Sequence, residues 1–225
     1  MNCISFRAKS SYARFRKAYT TTSTLTYLLM PPTAARGLIG AILGVDRVDL
    51  YNVTKKLDIA IEVVNDINKD TQSFNLSIMN NESSNSFSYP SNLEFLRDVE
   101  YIIYVKSDDL SLLSKIKDVL ISGEYFYTPY LGASEHVCKL SFEQEFDAEK
   151  LSLGVYSVSS AFDKTEAFEM EFDNIKLYSD NIPTKISEHR EYIEYKRVMF
   201  PVNSKSVKLK SDKLYQVGEK NIEFL

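Results

Sequence analysis

Residues 31–44 read PPTAARGLIGAILG, and this segment is the clearest structural signal in the chain. Its proline pair interrupts the preceding chain and starts a helix, with Thr33 predicted as the N-cap. The apolar face of the helix is formed by Ala35, Leu38, Ile39 and Ile42. Gly37 and Gly40 belong to a second face of small residues, and each mid-helix glycine costs about 1 kcal/mol relative to alanine. The two glycines therefore indicate close backbone approach to a sheet or a ligand, and Gly44 suits the C-cap.

Alternating segments surround this helix and predict an α+β fold. Alternation of apolar and polar residues, typical of half-buried strands, occurs at residues 2–8, 57–63, 99–105 and 136–143. A second amphipathic helix follows the capping sequence Ser107-Asp108-Asp109 and ends near Gly123. The order β-α-β-β-α-β predicts a ferredoxin-like domain, the arrangement that RNA-recognition folds share.

A long insertion separates the second and third predicted strands. Residues 65–97 are rich in Asn and Ser, and a structureless loop of that length is uncommon inside a compact domain. Phe74, Leu76 and Ile78 alternate with polar residues before Asn80-Asn81, a pair that tolerates the backbone angles of a turn. The pattern predicts a projecting hairpin or arm, and the alternative is a flexible insertion.

The remainder of the chain has mostly strand patterns. Met170 lies between two phenylalanines and alternates with acidic residues, while Val207 and Leu209 alternate with lysines. We therefore predict a ferredoxin-like domain at residues 1–146, with its insertion at 65–97, and a smaller β-rich C-terminal subdomain at residues 147–225.

The charge of the chain is divided unevenly along its length. The first 45 residues contain six basic residues and no acidic one, the first carboxylate being Asp46, although the whole chain has a net charge of −4. Four of the six are arginines, whose planar guanidinium suits phosphates and base edges. Tyr12, Phe15, Tyr19 and Tyr27 lie among them. Positive charge combined with stacking surface is typical of single-stranded nucleic-acid binding, and the alternative is an ordinary solvated basic face.

Composition excludes several other classes of protein. Cys3 and Cys138 form neither a disulfide framework nor a zinc spacing, and no His, Asp and Glu cluster has ligand spacing, so no metal is expected. No nucleotide-binding glycine motif is present, so no cofactor is expected. The absence of a signal peptide and of a long apolar run predicts a cytoplasmic protein without a membrane span.

Three segments resemble the Cas five family of CRISPR type I systems, whose members cap the 5′ end of the guide RNA in Cascade. The first is the Phe-Arg strand followed by ARFR at residues 13–16. The second is Thr26-Tyr27 followed by residues 31–44, and the third is PYLGASEH at residues 129–136. Together with the insertion, which matches the family's thumb, they cover about residues 1–145, and the overall size is most like the type I-B branch.

The resemblance implies that the basic head and the loop at residues 130–136 bind the 5′ handle of the guide RNA. It also implies that the thumb covers the RNA, that the protein contacts the backbone and large subunits of Cascade, and that target DNA is met only through the complex. The candidate RNA-binding residues are Arg7, Lys9, Arg14, Arg16, Lys17, Tyr27, Thr33, Arg36, Tyr130, Gly132, Ser134 and His136.

For three of these residues there is also a physical argument from the residues themselves. The helix N-terminus at Thr33 is a natural phosphate site, and Arg36 in the first turn adds a guanidinium. Gly132 allows a backbone to lie tightly against a nucleotide. The alternatives are ordinary helix capping, a solvated arginine and a plain turn.

Catalysis is not expected. Type I-C members of the family cut the guide precursor without metal, and the resemblance assigns that reaction to Tyr, Lys and His. Here only His136 and His189 are present, and a strand would place His136 and Lys139 on opposite faces. We therefore predict a non-catalytic guide-RNA-binding subunit. The alternatives are a metal-independent endoribonuclease centred on His136 and a protein–protein module whose basic head meets an acidic partner.

Overall fold

The computed structural model describes residues 2–20, 24–78, 87–167, 169–171 and 175–225. It is a sheet-rich α/β protein with few helices, built around an antiparallel sheet. The strands of this sheet are β1 (Cys3–Ala13), β2 (Asp58–Val63), β3 (Asn68–Ile78), β4 (Phe87–Lys106) and β5 (Lys139–Phe146). Their order is β2-β4-β1-β5, and β3 pairs with the outer part of β4. The helices are α1 (Pro32–Leu43), α2 (Leu50–Thr54) and α3 (Leu110–Ser122).

Side chains alternate between the two faces of the central sheet, and each face contains a buried apolar cluster. Ile4, Phe6 and Ala8 of β1 point into the main core together with the apolar sides of α1 and α3. Cys3, on the other face, packs with β2 and β4 side chains against Val217 and Ile222 near the C-terminus. The helices therefore cover one face of the sheet, and C-terminal strands cover the part of the other face around Cys3.

The predicted elements are confirmed with some changes of boundary. The first strand extends to Ala13 rather than ending at residue 8, and the last strand of this sheet begins at Lys139 rather than at residue 136. Asp109 caps α3 by accepting a hydrogen bond from the Leu112 amide, and the helix ends at Gly123 in the left-handed conformation.

The N-cap prediction for α1 was wrong. Pro31 occupies the N-cap and makes no side-chain capping bond. Its carbonyl accepts from the amides of Ala34 and Ala35, and Pro32 has no N–H, so fewer donors remain to be capped. The Thr33 hydroxyl instead lies 3.4 Å from the Pro183 carbonyl oxygen.

The glycines of α1 have different surroundings. A Cβ at Gly40 would lie 2.2 Å from Cδ1 of Leu50, so the close approach predicted there is to α2 rather than to a sheet or a ligand. A Cβ at Gly37 would have no atom within 4 Å, so this position is open. Gly44 ends the helix in the left-handed conformation, as predicted.

The insertion at residues 65–97 folds as the predicted hairpin. β3 and β4 pair without interruption from Asn68 opposite Arg97 to Ile78 opposite Phe87. The turn predicted at Asn80-Asn81 lies outside the described residues. β4 is 20 residues long, so one strand serves both the hairpin and the central sheet.

The C-terminal region is built almost entirely of strands. They are β6 (Ala148–Lys150), β7 (Gly154–Val158), β8 (Phe162–Asp163), β9 (Glu169–Glu171), β10 (Leu177–Ile186), β11 (Tyr192–Pro201), β12 (Val207–Ser211), β13 (Leu214–Val217) and β14 (Lys220–Glu223). A three-stranded sheet has the order β10-β11-β8, and a six-stranded sheet has the order β6-β13-β14-β7-β12-β9. Ile182, Val198 and Phe200 of the smaller sheet join the main core. The division at residue 147 stays a prediction.

A buried carboxylate connects the central sheet to the C-terminal strands. Glu62 is fully buried and accepts hydrogen bonds from the Tyr104 hydroxyl at 3.0 Å and from the Lys220 ammonium at 2.8 and 2.9 Å. A buried charge left without such partners would be strongly destabilising. The interaction therefore links β2, β4 and β14.

Candidate nucleic-acid interface

A cleft of about 550 Å³ lies where the chain leaves β1, beside the first turns of α1. Its other walls are the loop that precedes β5 and the turn between β10 and β11. The lining includes six of the predicted residues, namely Arg14, Arg16, Tyr27, Thr33, Tyr130 and Gly132. Four separate stretches of the sequence thus meet at one surface.

Backbone contacts hold the segment after β1 in place. The Arg14 amide donates to the Leu131 carbonyl at 3.1 Å, and the Tyr27 amide donates to the Phe15 carbonyl at 2.8 Å. Gly132 has a φ of +86°, and a Cβ there would lie 2.0 Å from the Arg14 carbonyl oxygen. The close approach that this glycine permits is therefore to the chain's own backbone, which positions the arginine segment.

Three arginines carry the positive charge of the cleft. Arg14 is half-buried, its guanidinium carbon lies 5.9 Å from the centre of the Phe95 ring, and its Nε has no hydrogen-bond partner in the part of the chain that the structure describes. Burial, and then repulsion by Arg16, lower the pKa of Arg14. Arg16 is exposed, and Arg190 lies in the turn between β10 and β11. No ion pair of these arginines occurs among the described residues.

Arg7 and Lys9 do not line the cleft. They project from the opposite face of β1 to Phe6 and Ala8, where acidic side chains neutralise them. Arg7 forms ion pairs with Glu100 and with Glu143, the latter at 2.7 Å, and Lys9 lies 2.9 Å from Glu100. The structure thus separates these two residues from the other predicted ones.

Lys17 and Arg36 bind parts of the protein itself. The Lys17 ammonium lies 2.8 Å from Asp180, whose second oxygen accepts from the Leu28 amide. The Arg36 guanidinium donates to the carbonyls of Leu57 and Thr184, the shortest distance being 2.8 Å. Both cations are therefore engaged in holding the first 45 residues against β10.

Ser134 and His136 lie in the same loop as Tyr130 but outside the cleft lining. The Ser134 hydroxyl is exposed and lies 3.4 Å from a Glu135 oxygen. The His136 ring contacts Tyr12 and Phe95, with ring centres 6.2 and 5.4 Å away. Burial lowers the pKa of His136, and the charge of Arg14 lowers it further, against the opposing effect of Glu135.

The turn after β10 contributes to the cleft, which was not predicted from the sequence. Arg190 and Tyr192 line the cleft, although neither was among the predicted site residues. The signal was present, because REYIEY at residues 190–195 combines arginine with two tyrosines, as the basic head does.

The described residues provide neither a metal-binding cluster nor an exposed thiol. Within the described ranges, no three His, Cys, Asp or Glu side chains lie close enough to hold a metal ion. Cys3 and Cys138 are buried free thiols, and burial raises the pKa of each to about 12. No helix in the described part of the chain is long and apolar enough to cross a membrane.

The fold of this chain is similar to that of several solved structures. A crystal structure of a CRISPR protein from Archaeoglobus fulgidus superposes with a TM-score of 0.58 at 10% identity, covering 99% of this chain and 98% of that one. A chain of a CRISPR RNA-guided surveillance complex gives a TM-score of 0.57 at 13% identity, covering 92% and 91%. A chain of the type III-B Cmr-beta complex bound to cognate target RNA and AMPPnP gives 0.53 at 12% identity, covering 92% and 86%. These similarities show a shared fold.

The family follows from the sequence. The family model described as CRISPR-associated protein (Cas_Cas5) matches residues 3–203, and the chain belongs to this family. The resemblance described above is thereby confirmed at the level of the family, and the type I-B branch stays a prediction. A search of curated proteins finds no match.

Proposed function

We propose that the protein is a non-catalytic subunit of a type I CRISPR interference complex that binds and caps the 5′ handle of the guide RNA. The observation that carries the proposal is the cleft, where Arg14, Arg16 and Arg190 have no ion-pair partner among the described residues and lie beside Tyr130. Unneutralised arginines next to exposed aromatic rings suit the phosphates and bases of a single strand.

The helix beside the cleft supports an anionic ligand. Thr33, Ala34 and Gly37 in the first turns of α1 line the cleft, and the N-terminus of a helix favours negative charge. Gly37 leaves space in which a phosphate can approach the helix backbone. A phosphate in this position would meet the helix N-terminus and the nearby arginines together.

The strand order supports a ferredoxin-like classification of the central domain. β1, β2, β4 and β5, with α1 and α3 between them, follow the β-α-β-β-α-β order, and the sheet order β2-β4-β1-β5 is antiparallel throughout. RNA-recognition folds share this arrangement. This topology gives the proposed RNA-binding function a suitable scaffold.

The hairpin of β3 and β4 is proposed to act as the thumb. It exposes two aromatic side chains, Phe74 and Tyr89, beyond the central sheet. We assign it contacts with the guide RNA and with the neighbouring backbone subunit. Contacts with the large subunit, and with target DNA through the complex, are part of the same proposal.

A metal-independent endoribonuclease is the second candidate. It is favoured by the lowered pKa of His136 and by its Nε2, which is buried with no partner in the described ranges, because a neutral imidazole can accept a proton. Against it, the ring is held between Tyr12 and Phe95 and does not line the cleft.

The proposal is tested by measuring RNA binding and cleavage in the presence of a metal chelator. The full chain is mixed with a repeat-derived RNA that has its 5′ handle and with a matched RNA that has a scrambled handle, and both are analysed for binding and for cleavage. We expect tighter binding of the intact handle, weakening with salt, and an uncut RNA. Equal binding of both RNAs, or none, would contradict handle recognition. Cleavage at one site that His136→Ala abolishes would establish the endoribonuclease. Salt-sensitive binding of an acidic protein partner, without RNA binding, would establish the protein–protein module.

A further inference from the structure

The turn between β10 and β11 brings a group of tyrosines to the cleft. The two strands change register twice near this turn, between Pro183 and Lys185 and between Lys185 and Ile186. Such irregularities redirect side chains, because the strict alternation of faces is interrupted. Tyr192 and Tyr195 consequently contact each other, with ring centres 6.0 Å apart and ring planes at 67°.

These rings remain open to solvent. Tyr192 is 43% exposed, Tyr195 is 39% exposed, and Tyr19 from the basic head is 61% exposed. Tyr27 lies buried beside them: burial raises its pKa, and the neighbouring hydroxyls of Tyr195, Tyr19 and Tyr192 act in the same direction. Four tyrosines from two distant parts of the chain therefore meet at one edge of the cleft.

The charge around the tyrosines is positive on the side of the cleft. Arg190 lies two residues before Tyr192, and Arg14 and Arg16 line the same cleft. No Asp or Glu is among the described residues that line it. Glu194 is engaged elsewhere, since it accepts from Thr184 at 2.8 Å and from Lys185 at 2.6 Å.

We infer that Tyr192, supported by Tyr195 and Tyr19, is a base-stacking subsite for the nucleotide next to the phosphates that Arg14 and Arg16 hold. This inference rests on the proposed RNA-binding function and adds the C-terminal hairpin to the site. Exposed tyrosines stack on any base, and an adjacent arginine binds the neighbouring phosphate. The subsite therefore contributes affinity without a strong preference for one base.

A fluorescent base analogue tests the inference directly. 2-Aminopurine is placed at successive positions of a single-stranded handle RNA, and binding to the full chain is followed by fluorescence. We expect quenching at one position, retained in Tyr192→Phe and lost in Tyr192→Ala. Tyr192→Ala should weaken binding by about 5-fold to 150-fold, the range expected for one stacked base. The salt dependence of binding should not change, because no charge is removed.

Ile193→Ala is the matched control, because Ile193 is 61% exposed on the same strand and does not line the cleft. Tyr192→Ala binding like the wild-type protein, or no more weakly than Ile193→Ala, would overturn the inference. If the double variant Arg14→Ala, Arg16→Ala still loses affinity in that case, the proposed function stands without the stacking subsite. If the wild-type protein binds no RNA, both fail. If Tyr192→Ala binds RNA normally but assembles poorly with the other subunits of the complex, this surface is a protein interface and the inference is overturned.

Discussion

Two pairs of basic residues from one stretch of the chain differ in whether acidic side chains neutralise them. Arg7 and Lys9, in β1, are neutralised by Glu100 and Glu143. Arg14 and Arg16, just after β1 ends, lie in the cleft without an ion pair in the described part of the chain. Formal charge counted along a sequence is therefore not the charge that a ligand meets, since neighbours from distant segments remove part of it.

Strand pairing explains the difference. Lys9 lies directly opposite Glu100 on β4, and Arg7 reaches the same carboxylate diagonally. Opposite charges at such cross-strand positions attract. After Ala13 the chain leaves the sheet, and Arg16 faces Thr26 in an isolated bridge, so Arg14 and Arg16 do not lie opposite the acidic positions of β4.

The largest effect on stability is expected for a substitution of Gly132, which positions the segment that contains Arg14 and Arg16. Gly132→Ala would place a Cβ 2.0 Å from the Arg14 carbonyl oxygen at a φ of +86°. We expect a loss of about 1–2 kcal/mol from the left-handed backbone and about 1–3 kcal/mol from crowding, measured as the free energy of unfolding in denaturant. RNA affinity should fall too, because the arginine segment must move.

Gly123→Ala is the control for this prediction. Gly123 has a φ of +70° but nothing within 4 Å of a Cβ, so only the backbone effect of about 1–2 kcal/mol remains. Equal losses in the two variants would show that contact with Arg14 does not hold the loop.

Local features were predictable from the sequence. The cap and end of α3, the left-handed Gly44 and the alternation of β1 and β2 depend on neighbouring residues, and the structure confirms them. The strand ends were less accurate, because pairing partners decide where a strand stops. β1, for example, continues to Ala13 along β4.

The roles of individual cations were not predictable in the same way. Asp180, which pairs with Lys17, is 163 residues away in the chain, and Thr184, which accepts from Arg36, is 148 residues away. No local pattern announces such partners. Arg14 and Arg16 of the basic head line the cleft, and their binding to RNA stays a prediction. Arg190 reaches the same cleft from a hairpin that is distant in the sequence.

A charge-matched pair of double variants tests the comparison directly. One double variant replaces Arg14 and Arg16 by alanine, and the other replaces Arg7 and Lys9 by alanine. Each removes two positive charges. We expect the first to lose about 1–3 kcal/mol of RNA-binding free energy and to flatten the slope of log affinity against log salt by about 1.4, or about 0.7 for each lost phosphate contact. The second should keep a slope close to that of the wild type, because its cations are already paired with acids.

Binding is measured by fluorescence anisotropy at several salt concentrations, with circular dichroism to verify folding. If both double variants lose the same slope, the RNA responds to overall charge, and the separation of the two clusters has no functional meaning.

The smallest expected effect is on the pH dependence of stability in Arg7→Ala, Lys9→Ala. Burial raises the pKa of Glu100, but hydrogen bonds from Lys9 and Arg7 outweigh it and hold the pKa below its ordinary value of 4.5. A depressed carboxyl pKa contributes stability above pH 4.5, and this contribution is lost as the pH falls through the folded-state pKa.

We expect the variant to be less stable by about 1 kcal/mol at pH 7, or about 2–4 °C in Tm. The difference should shrink as the pH falls from 7 towards 3, because Glu100 takes up a proton as the pH passes through its lowered pKa. Lys55→Ala is the control, because the Lys55 ammonium bonds to the uncharged Asn52 and its removal should have a similar effect at both pH values. A difference for the double variant that stays constant down to pH 3 would show that packing of the arginine and lysine stems, rather than their charge, stabilises this face of the sheet.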